Sequence, residues 1–406
     1  MTTTGTVATW GEDPTVSYHP EEGACSTFSN SDMLTKFGTL LDLWADLTET
    51  SLSLQAVNDT LTDINGDNYE TYIYTASGTS TNNLTLTDGF NATVFDDDGE
   101  ITAAIAGTTN KFNVLGFASI NVFSQSTGVI SDGQAVINCR CVTGHPTLGN
   151  CTSGGETITV SEDELDFTIL HEMGHFLNLD HTQVNYDLFT NSDSSDDVDI
   201  PVMFPVSFDD DQIAPRADDQ VALGALYPST SFLATKCLVI GTVTDSGGDE
   251  LRCADIEAVA ADPVDTVSYV SGAGAAAQDV NEDGDTVDSG ECESGCGDFE
   301  LYLDPAKTYT LKILPINESL IGGSGIGPCV NEQLDTITEQ TLATITSAEC
   351  IAGATLNLGT IITSSTGGTS SGGDSGSGST GGVTGNGIEK TTETNNPIGY
   401  GCSLVY

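Results

Sequence analysis

The eleven residues from His171 to His181 constrain this chain more than any other segment. They contain three of its five histidines, in the sequence HEMGHFLNLDH. On a helix, His171 and His175 are one turn apart and project from the same face, so both imidazoles can bind one ion. The helix has to end soon after His175 if His181 is to return as a third nitrogen ligand. Three imidazoles that leave one coordination position open are typical of a catalytic zinc site rather than a closed structural one.

A helix that starts near Ser161 is predicted to carry these histidines. Ser161 and Glu164 form a capping-box pattern. Apolar residues then recur at helical spacing, at Leu165, Ile169, Met173 and Phe176. Glu172 follows the first histidine, where it can act as a general base on water rather than as a ligand. The alternative is an ordinary amphipathic helix with two incidental histidines, and the position of His181 argues against it.

The motif HExxHxxGxxH, followed by a turn that contains methionine, is the signature of metzincin zinc peptidases. Residues 171–181 and the later Pro201-Val202-Met203-Phe204-Pro205 resemble it closely. Residues 218–228 are similar to the closing helix of a matrixin, and bacterial matrixin-like secreted peptidases are the closest resemblance, over about residues 8–228. The turn glycine of the family is Asn178 here, and asparagine is the next most tolerant residue of the left-handed conformation.

This resemblance implies a secreted zinc-dependent endopeptidase that hydrolyses protein or peptide substrates. It implies that Glu172 is the catalytic base and that one catalytic Zn²⁺ is held by His171, His175 and His181. We expect no second, structural zinc of the kind that matrixins tend to carry, because only two histidines lie outside the motif. No glutamate occurs between residues 172 and 250, which argues against the glutamate ligand of thermolysin-like enzymes.

The methionine turn receives its roles from the same resemblance. Met203 is expected to form the turn beneath the metal, where it packs and does not bind. Phe204 and Pro205 are expected to border the substrate pocket. The alternative function, from another class, is a surface adhesion or binding protein whose metzincin domain is degenerate, and the intact Glu172 argues against it.

The charge and the cysteines indicate an extracellular setting. There are 60 acidic and 9 basic residues, a formal charge of −51, which disfavours nucleic acid and anionic membranes as partners. Eleven cysteines without a CxxC pair predict disulfides and a secreted or cell-surface protein. We expect two bridges among Cys25, Cys139, Cys141 and Cys151 and three among Cys237, Cys253, Cys292, Cys296, Cys329 and Cys350, with the connectivity open. No signal peptide or membrane span is visible in the chain, and we expect a monomer.

The chain is long enough for two domains and a tail. The fold predicted for residues 8–230 is an α+β metzincin catalytic domain, with a twisted mixed sheet, an active-site helix and a Met-turn. Residues 236–362 are predicted to form a small all-β sandwich, weakly similar to carboxypeptidase-regulatory-like domains. Residues 363–406 are predicted to be a disordered Gly/Ser/Thr-rich linker and tail, with Cys402 too far from any core to pair readily. The strands predicted in the first domain are 15–18, 51–57, 71–75, 92–95, 116–123 and 135–139.

One acidic segment of the second domain is a possible calcium site. Asp279, Asn281, Asp283 and Asp285 match the opening of an EF-hand-type loop, which has oxygen ligands at alternate positions. Position twelve is Gly290, so the bidentate glutamate that closes such a loop is missing. A solvated acidic loop is the alternative. Residues 63–67 and 96–100 carry weaker patterns of the same kind.

Overall fold

A computed structural model describes residues 7–12, 14–57, 62–73, 90–108, 110–124, 126–153, 156–206, 212–273, 295–317, 337–364 and 402–405. Helices α1 to α6 cover Asn30–Ala45, Glu100–Ala106, Glu162–Phe176, Tyr186–Thr190, Ala217–Leu226 and Thr230–Thr235. Strands β1 to β7 cover Thr15–Pro20, Ser53–Ala56, Ala92–Asp96, Val114–Phe123, Ile130–Asn138, Cys151–Ser153 and Glu156–Ile158. Strands β8 to β15 cover Cys237–Thr244, Ala254–Val259, Val267–Val270, Asp298–Leu303, Tyr309–Pro315, Gln340–Ile345, Thr355–Ile362 and Cys402–Val405. Among the described helices, none combines the length and the apolar character that a membrane crossing requires.

A six-stranded mixed sheet organises the first region of the chain, in the order β15-β4-β5-β3-β1-β2. β1, β2, β3 and β5 run parallel to one another. β4 is antiparallel to β5, and β15 is antiparallel to β4. Helix α3 contacts β4 and β5 and packs against α1. The helix with the histidine motif therefore lies beneath the half of the sheet that ends in β4 and β15.

Helix α1 supplies the apolar face that α3 needs on its other side. Its buried residues recur at helical spacing, as the sequence predicts: Met33, Phe37, Leu40, Leu41 and Trp44. The indole N–H of Trp44 donates to the backbone carbonyl of Leu170 at 3.0 Å, inside α3. Trp44 thus contributes both apolar contact and a hydrogen bond, and it fixes α1 against the middle of α3.

Most of the strands predicted in the first region form, but the one predicted for residues 71–75 is wrong. Residues Tyr69–Thr71 form a 3₁₀ turn instead, and residues 74 and 75 lie outside the described part of the chain. The backbone N–H of Tyr69 donates to the Asn65 carbonyl at 3.0 Å, and the backbone N–H of Asn65 donates to Oδ1 of Asn68 at 2.8 Å. Local turn hydrogen bonds of this kind compete with strand pairing.

Two sheets enclose one core in the second region. One has the order β10-β9-β12-β13 and the other β11-β8-β14. Apolar side chains from both fill the space between them, among them Val239 and Leu301 from one sheet and Ile256 and Leu311 from the other. The acidic segment with Asp279, predicted as a possible calcium loop, lies outside the described residues.

The end of the chain does not lie apart from the fold. Residues 402–405 form β15, which pairs with β4 at the edge of the first region's sheet. The expectation that Cys402 belongs to a remote tail therefore needs correction, because its backbone is part of that sheet. The preceding residues 365–401, predicted to be a linker, lie outside the described part of the chain.

Disulfide bonds close both regions. Among the described residues, three bonds have both partners visible, Cys25–Cys139, Cys141–Cys151 and Cys237–Cys350. The first two confirm the prediction that the four cysteines of the first region form two bridges. Cys253 and Cys296 are also disulfide-bonded. Disulfides in this number are typical of proteins that fold in an oxidising, extracellular environment.

Candidate metal centre

Helix α3 begins as the sequence predicts. The Ser161 side chain accepts from the Glu164 backbone N–H at 3.1 Å, and the Glu164 carboxylate accepts from the Ser161 N–H at 2.6 Å. This reciprocal capping satisfies two amide groups that a helix start leaves without a partner. The helix then continues to Phe176, so His171 and His175 lie on one face in its last two turns.

The chain reverses immediately after the helix, at Asn178. This residue has φ of 73°, in the left-handed region where glycine is usual and asparagine is tolerated. The backbone N–H of Leu179 donates to the Gly174 carbonyl at 3.0 Å, which closes the turn. The sequence prediction for Asn178 is therefore confirmed. The side-chain amide of Asn178 also donates to the Ala8 carbonyl at 2.6 Å, a bond that glycine cannot make.

The turn brings the three histidines of the motif together, and we call this group the metal centre. The Nε2 atoms of His171 and His175 are 2.9 Å apart, and each is 3.2 Å from Nε2 of His181. Among the described residues, these histidines are the one group of His, Cys, Asp or Glu side chains with three ligand atoms close enough to hold a metal ion. All three side chains are buried.

Backbone carbonyls fix the orientation of two of these imidazoles. Nδ1 of His171 lies 2.7 Å from the Val202 carbonyl, and Nδ1 of His175 lies 2.8 Å from the Leu179 carbonyl. Since a carbonyl only accepts, both Nδ1 atoms must donate a proton. In a neutral ring this leaves the lone pair on Nε2, the atom that faces the other histidines.

Burial keeps these rings neutral. It lowers the pKa of His175 to about 4 and holds the pKa of His171 and His181 well below the usual range, and the neighbouring imidazoles add to the shift for the latter two. Lone pairs that face each other at about 3 Å repel unless a cation lies between them. The donor set therefore fits a divalent metal that accepts imidazole nitrogen, such as zinc.

Glu172 lies beside the metal centre without belonging to it. Its side chain is fully buried, and neither carboxylate oxygen makes a hydrogen bond of normal geometry. Burial raises the pKa of Glu172 well above its usual range, and the Ala118 backbone amide opposes this shift only in part. A buried carboxylate without a fixed partner is suited to exchange a proton with a small molecule that enters the site.

Strand β4 passes very close to Glu172, and a glycine allows it. A Cβ atom at Gly116 would lie 2.8 Å from Cγ of Glu172 and 3.0 Å from Cγ2 of Thr168. No real side chain fits in that space, so Gly116 lets the strand backbone come up against the carboxylate. Gly116 is a site residue that the sequence did not reveal, because nothing in its local pattern connects it with residue 172.

Met203 packs against α3 at Gly174. A Cβ atom at Gly174 would clash with Sδ of Met203, so the second glycine of the site is required for this contact. The Met203 carbonyl accepts from the Thr182 N–H at 3.0 Å, which ties the turn to the residue after His181. Met203 therefore supports the position of His181 through the backbone as well as through packing.

Asp219 holds the same turn from below. Its carboxylate accepts from the backbone N–H groups of Val202 at 2.9 Å and Met203 at 3.0 Å. Burial raises the pKa of Asp219 to about 7, and the backbone donors at Arg216, Met203 and Val202 oppose the shift. The sequence analysis predicted no role for Asp219, although an aspartate at a helix start is a common signal for an acceptor of backbone hydrogen bonds.

Phe204 and Pro205 follow Met203 and are both buried. The ring of Phe204 lies 5.9 Å from that of Phe189, measured between centroids. Their role at the border of a substrate pocket stays a prediction.

The weaker acidic pattern at residues 96–100 serves the backbone instead. Asp96 accepts from the Ile101 and Thr102 amides at the start of α2, at 3.2 and 2.7 Å. Asp97 accepts from the Ser26 amide at 2.6 Å. Because these carboxylates already bind N–H groups, they are explained without a cation.

The comparisons with known proteins give no family for this chain. No model of a known protein family matches the sequence, and no curated protein matches it either. The function must therefore be inferred from the geometry described above.

Proposed function

We propose that this protein is a secreted zinc-dependent endopeptidase of the metzincin type, similar to matrixin-like peptidases. The observation that carries the proposal is the convergence of three imidazole Nε2 atoms beside a buried glutamate that is not a ligand. His171, His175 and His181 supply the nitrogen atoms, and Glu172 supplies the carboxylate. Structural zinc sites use a fourth protein ligand, and the described residues offer none here.

The residues of the metal centre fit Zn²⁺ by number, type and state. Three neutral imidazoles are the ligand set of several catalytic zinc sites, and the carbonyls of Val202 and Leu179 hold the rings of His171 and His175 in place. When bound in such a site, zinc polarises a carbonyl and makes water more acidic. Calcium prefers oxygen ligands and is disfavoured by this donor set.

Glu172 is assigned the proton transfers. Its carboxylate accepts a proton from the attacking water and delivers that proton to the amine that leaves when the peptide bond breaks. Burial raises the pKa of Glu172, so its carboxylate is a stronger base than an exposed one, and neither oxygen has a hydrogen-bond partner of normal geometry. The raised pKa follows from burial, so the surroundings of Glu172 set the strength of the base.

An extended peptide is the substrate that suits the surroundings. The backbone of β4 reaches Glu172 at Gly116 and Ala118, so a chain that pairs with β4 as a further strand passes directly by the carboxylate. Strand addition is a common way to bind a peptide without reading every side chain. The proposed partner is therefore a protein or peptide, and the disulfides support an extracellular location for the reaction.

The test is peptide cleavage with control of the metal. The protein is incubated with a mixed peptide library in three states: as purified, after treatment with a zinc chelator, and after zinc is restored. We expect cleavage in the first and third states and none in the second, with one zinc per chain by metal analysis. Zinc-loaded protein that cleaves no peptide would favour the adhesion or binding protein instead. Cleavage that persists in the chelated state would exclude the metal mechanism.

A further inference from the structure

Strand β15 covers the edge of the sheet at the metal centre. Within the described residues, β4 has β5 on one side and β15 on the other. β15 consists of the residues Cys402–Val405 and runs antiparallel to β4. The end of the chain therefore occupies the free edge of β4.

The register places this pairing directly beside Glu172. Cys402 pairs with Ala118, Ser403 with Phe117 and Leu404 with Gly116. Gly116 and Ala118 are two positions of β4 that lie next to Glu172, one through the space that its missing Cβ leaves and the other through its amide. β15 also contacts α3, the helix that carries Glu172. The end of the chain thus passes the carboxylate along the edge of β4.

We propose that residues 402–405 are an internal competitor of the peptide substrate of this protein: β15 pairs with β4 where an extended substrate would pair. This inference rests on the proposed function, since it assigns the β4 edge to peptide binding. Strand addition uses backbone N–H and C=O groups, and it does not distinguish a segment of the same chain from a separate peptide. One occupant therefore excludes the other.

The sequence of the segment suits this role. The chain carries 60 acidic residues, but residues 394–406 contain no charged residue. A neutral segment can lie against a sheet edge without the repulsion that an acidic one would meet in a protein of charge −51. Leu404 and Val405 have apolar side chains and valine favours strands. The composition of residues 402–405 is thus compatible with a further strand beside β4.

Competition by a tethered segment has a defined kinetic form. A substrate binds only to the fraction of molecules whose β4 edge is open, so its apparent dissociation constant rises as that fraction falls. If β15 is paired for nine-tenths of the time, the apparent KM is about tenfold higher than that of the open protein. The maximal rate is unchanged, because saturating substrate displaces the segment.

Hydrogen exchange of the β4 amides tests the pairing without any catalysis. We compare the full chain with the variant Ser403→Pro/Leu404→Pro, in which two backbone donors of β15 are removed. Exchange in residues 114–118 should become about tenfold faster, while residues 135–138 of β5 stay protected. The matched control is Thr391→Pro/Thr392→Pro, which places the same two prolines outside β15 and should exchange like the parent. Equal exchange in all three proteins would overturn the proposal.

A synthetic peptide with the sequence of residues 401–406, with serine in place of Cys402, then tests the competition. Added to a chain that lacks residues 402–406, it should restore the protection of residues 114–118 in a saturable way. With a cleavable peptide, the shortened chain should have a KM that is lower by about tenfold and an unchanged kcat. A kcat that changes while KM does not would refute competition.

The exchange measurements are made on the Glu172→Ala variant without metal, so that they do not depend on peptidase activity. If β15 protects β4 but no peptide is ever cleaved, the pairing stands and the proposed function fails, and with it the role of competitor. If peptides are cleaved and the exchange of β4 does not respond to the prolines, the proposed function stands and this inference fails.

Discussion

Two places in this molecule each bury three ionisable side chains, with opposite results. The metal centre buries three histidines, and what we call the acidic cluster buries Asp218, Asp255 and Glu257. Asp218 lies in α5 of the first region, whereas Asp255 and Glu257 lie on β9 of the second. Asp218 accepts from the Ser268 amide of β10 at 2.7 Å. The acidic cluster therefore lies where the two regions meet.

Burial shifts both groups towards their neutral forms, but those neutral forms differ. Burial raises the pKa of Asp218 to about 6 and that of Asp255 to about 7, and it holds the pKa of Glu257 well above its usual range. A neutral carboxyl group carries its own proton and can donate it to a neighbouring oxygen. A neutral imidazole whose Nδ1–H is already used presents only a lone pair. Protons can thus satisfy the acidic cluster, whereas the three nitrogen lone pairs of the metal centre are suited to hold a cation.

The surroundings of the acidic cluster agree with this contrast. Lys312 pairs with Glu257 in the register of β12 and β9, but its ammonium group lies 3.3 Å from Glu339. Asp187 adds a further negative charge near Glu257, and one carboxylate oxygen of Asp255 is buried without a hydrogen-bond partner. Among the described residues no cation is placed to neutralise all three acids, which favours their protonated forms.

Glu172→Ala is the change with the largest expected effect. The loss of the general base should lower kcat by about 10²- to 10⁴-fold, while zinc stays bound because the three imidazoles are intact. Peptide cleavage and zinc content are measured on the same sample. Glu162→Ala, an exposed change at the start of the same helix, is the matched control and should behave like the parent. Turnover at the parent's rate in Glu172→Ala would remove the assigned role.

His181→Ala should affect the metal as well as the activity. Loss of one of three nitrogen ligands should weaken zinc binding by more than the roughly 10- to 100-fold that loss of an outer contact costs. Competition with a chelator measures the affinity. His145→Ala is the control, because His145 lies 3.1 Å from the Asp97 carbonyl and outside the metal centre. If His181→Ala holds zinc as tightly as the parent, the third ligand is another residue.

The acidic cluster should instead respond to pH. A folded-state pKa raised above the unfolded value gives stability that is present below about pH 4 and is lost as the pH rises through about 7, the value for Asp255. Asp255→Asn stays neutral at every pH. We expect it to be more stable than the parent at pH 8, by on the order of 1 to 3 kcal/mol, and to lose this advantage towards pH 4.

Chemical denaturation of the metal-free proteins across this pH range measures the difference. The exposed change Asp67→Asn is the matched control, and its difference from the parent should not vary in the same way. A parent that is as stable as Asp255→Asn at pH 8 would mean that the acidic cluster is not satisfied by protons, and the contrast with the metal centre would not hold.

Substitutions of Asn178 should have the smallest effect on stability. They separate the contribution of the left-handed backbone from that of the side-chain hydrogen bond. Asn178→Gly keeps the left-handed turn but loses the bond to the Ala8 carbonyl, at a cost of about 1 kcal/mol. Asn178→Ala loses the bond and also strains the backbone by about 1 to 2 kcal/mol. Thermal unfolding ranks the two variants. An alanine variant at least as stable as the glycine variant would show that the turn does not require a left-handed residue.

The sequence predicts the local parts of this molecule well, because neighbouring residues determine them. The capping box at Ser161, the helical spacing of the α1 core residues and the left-handed turn at Asn178 each depend on short-range geometry. The convergence of the three Nε2 atoms follows from the same spacing once the turn forms. These features are therefore available before any tertiary contact is known.

The contacts that join distant segments could not be predicted in this way. Gly116 and Glu172 are far apart in the sequence, and only the position of β4 over α3 makes the glycine necessary. Asp219 receives its role from the turn at Met203, and the acidic cluster forms only where two regions meet. The pairing of β15 with β4 depends on which sheet edge is free, and a pattern of apolar residues does not encode that.

The bond between Cys237 and Cys350 has a consequence for the integrity of the polypeptide. It joins the start of β8 to the residues just before β14, across 113 positions of sequence. A single break in the main chain between these cysteines leaves both fragments attached to each other. A nicked molecule would therefore migrate as one band under non-reducing electrophoresis and separate into two only after reduction. We propose that this protein cleaves peptide bonds. If one copy cleaved another between Cys237 and Cys350, a non-reducing gel would not detect the cut.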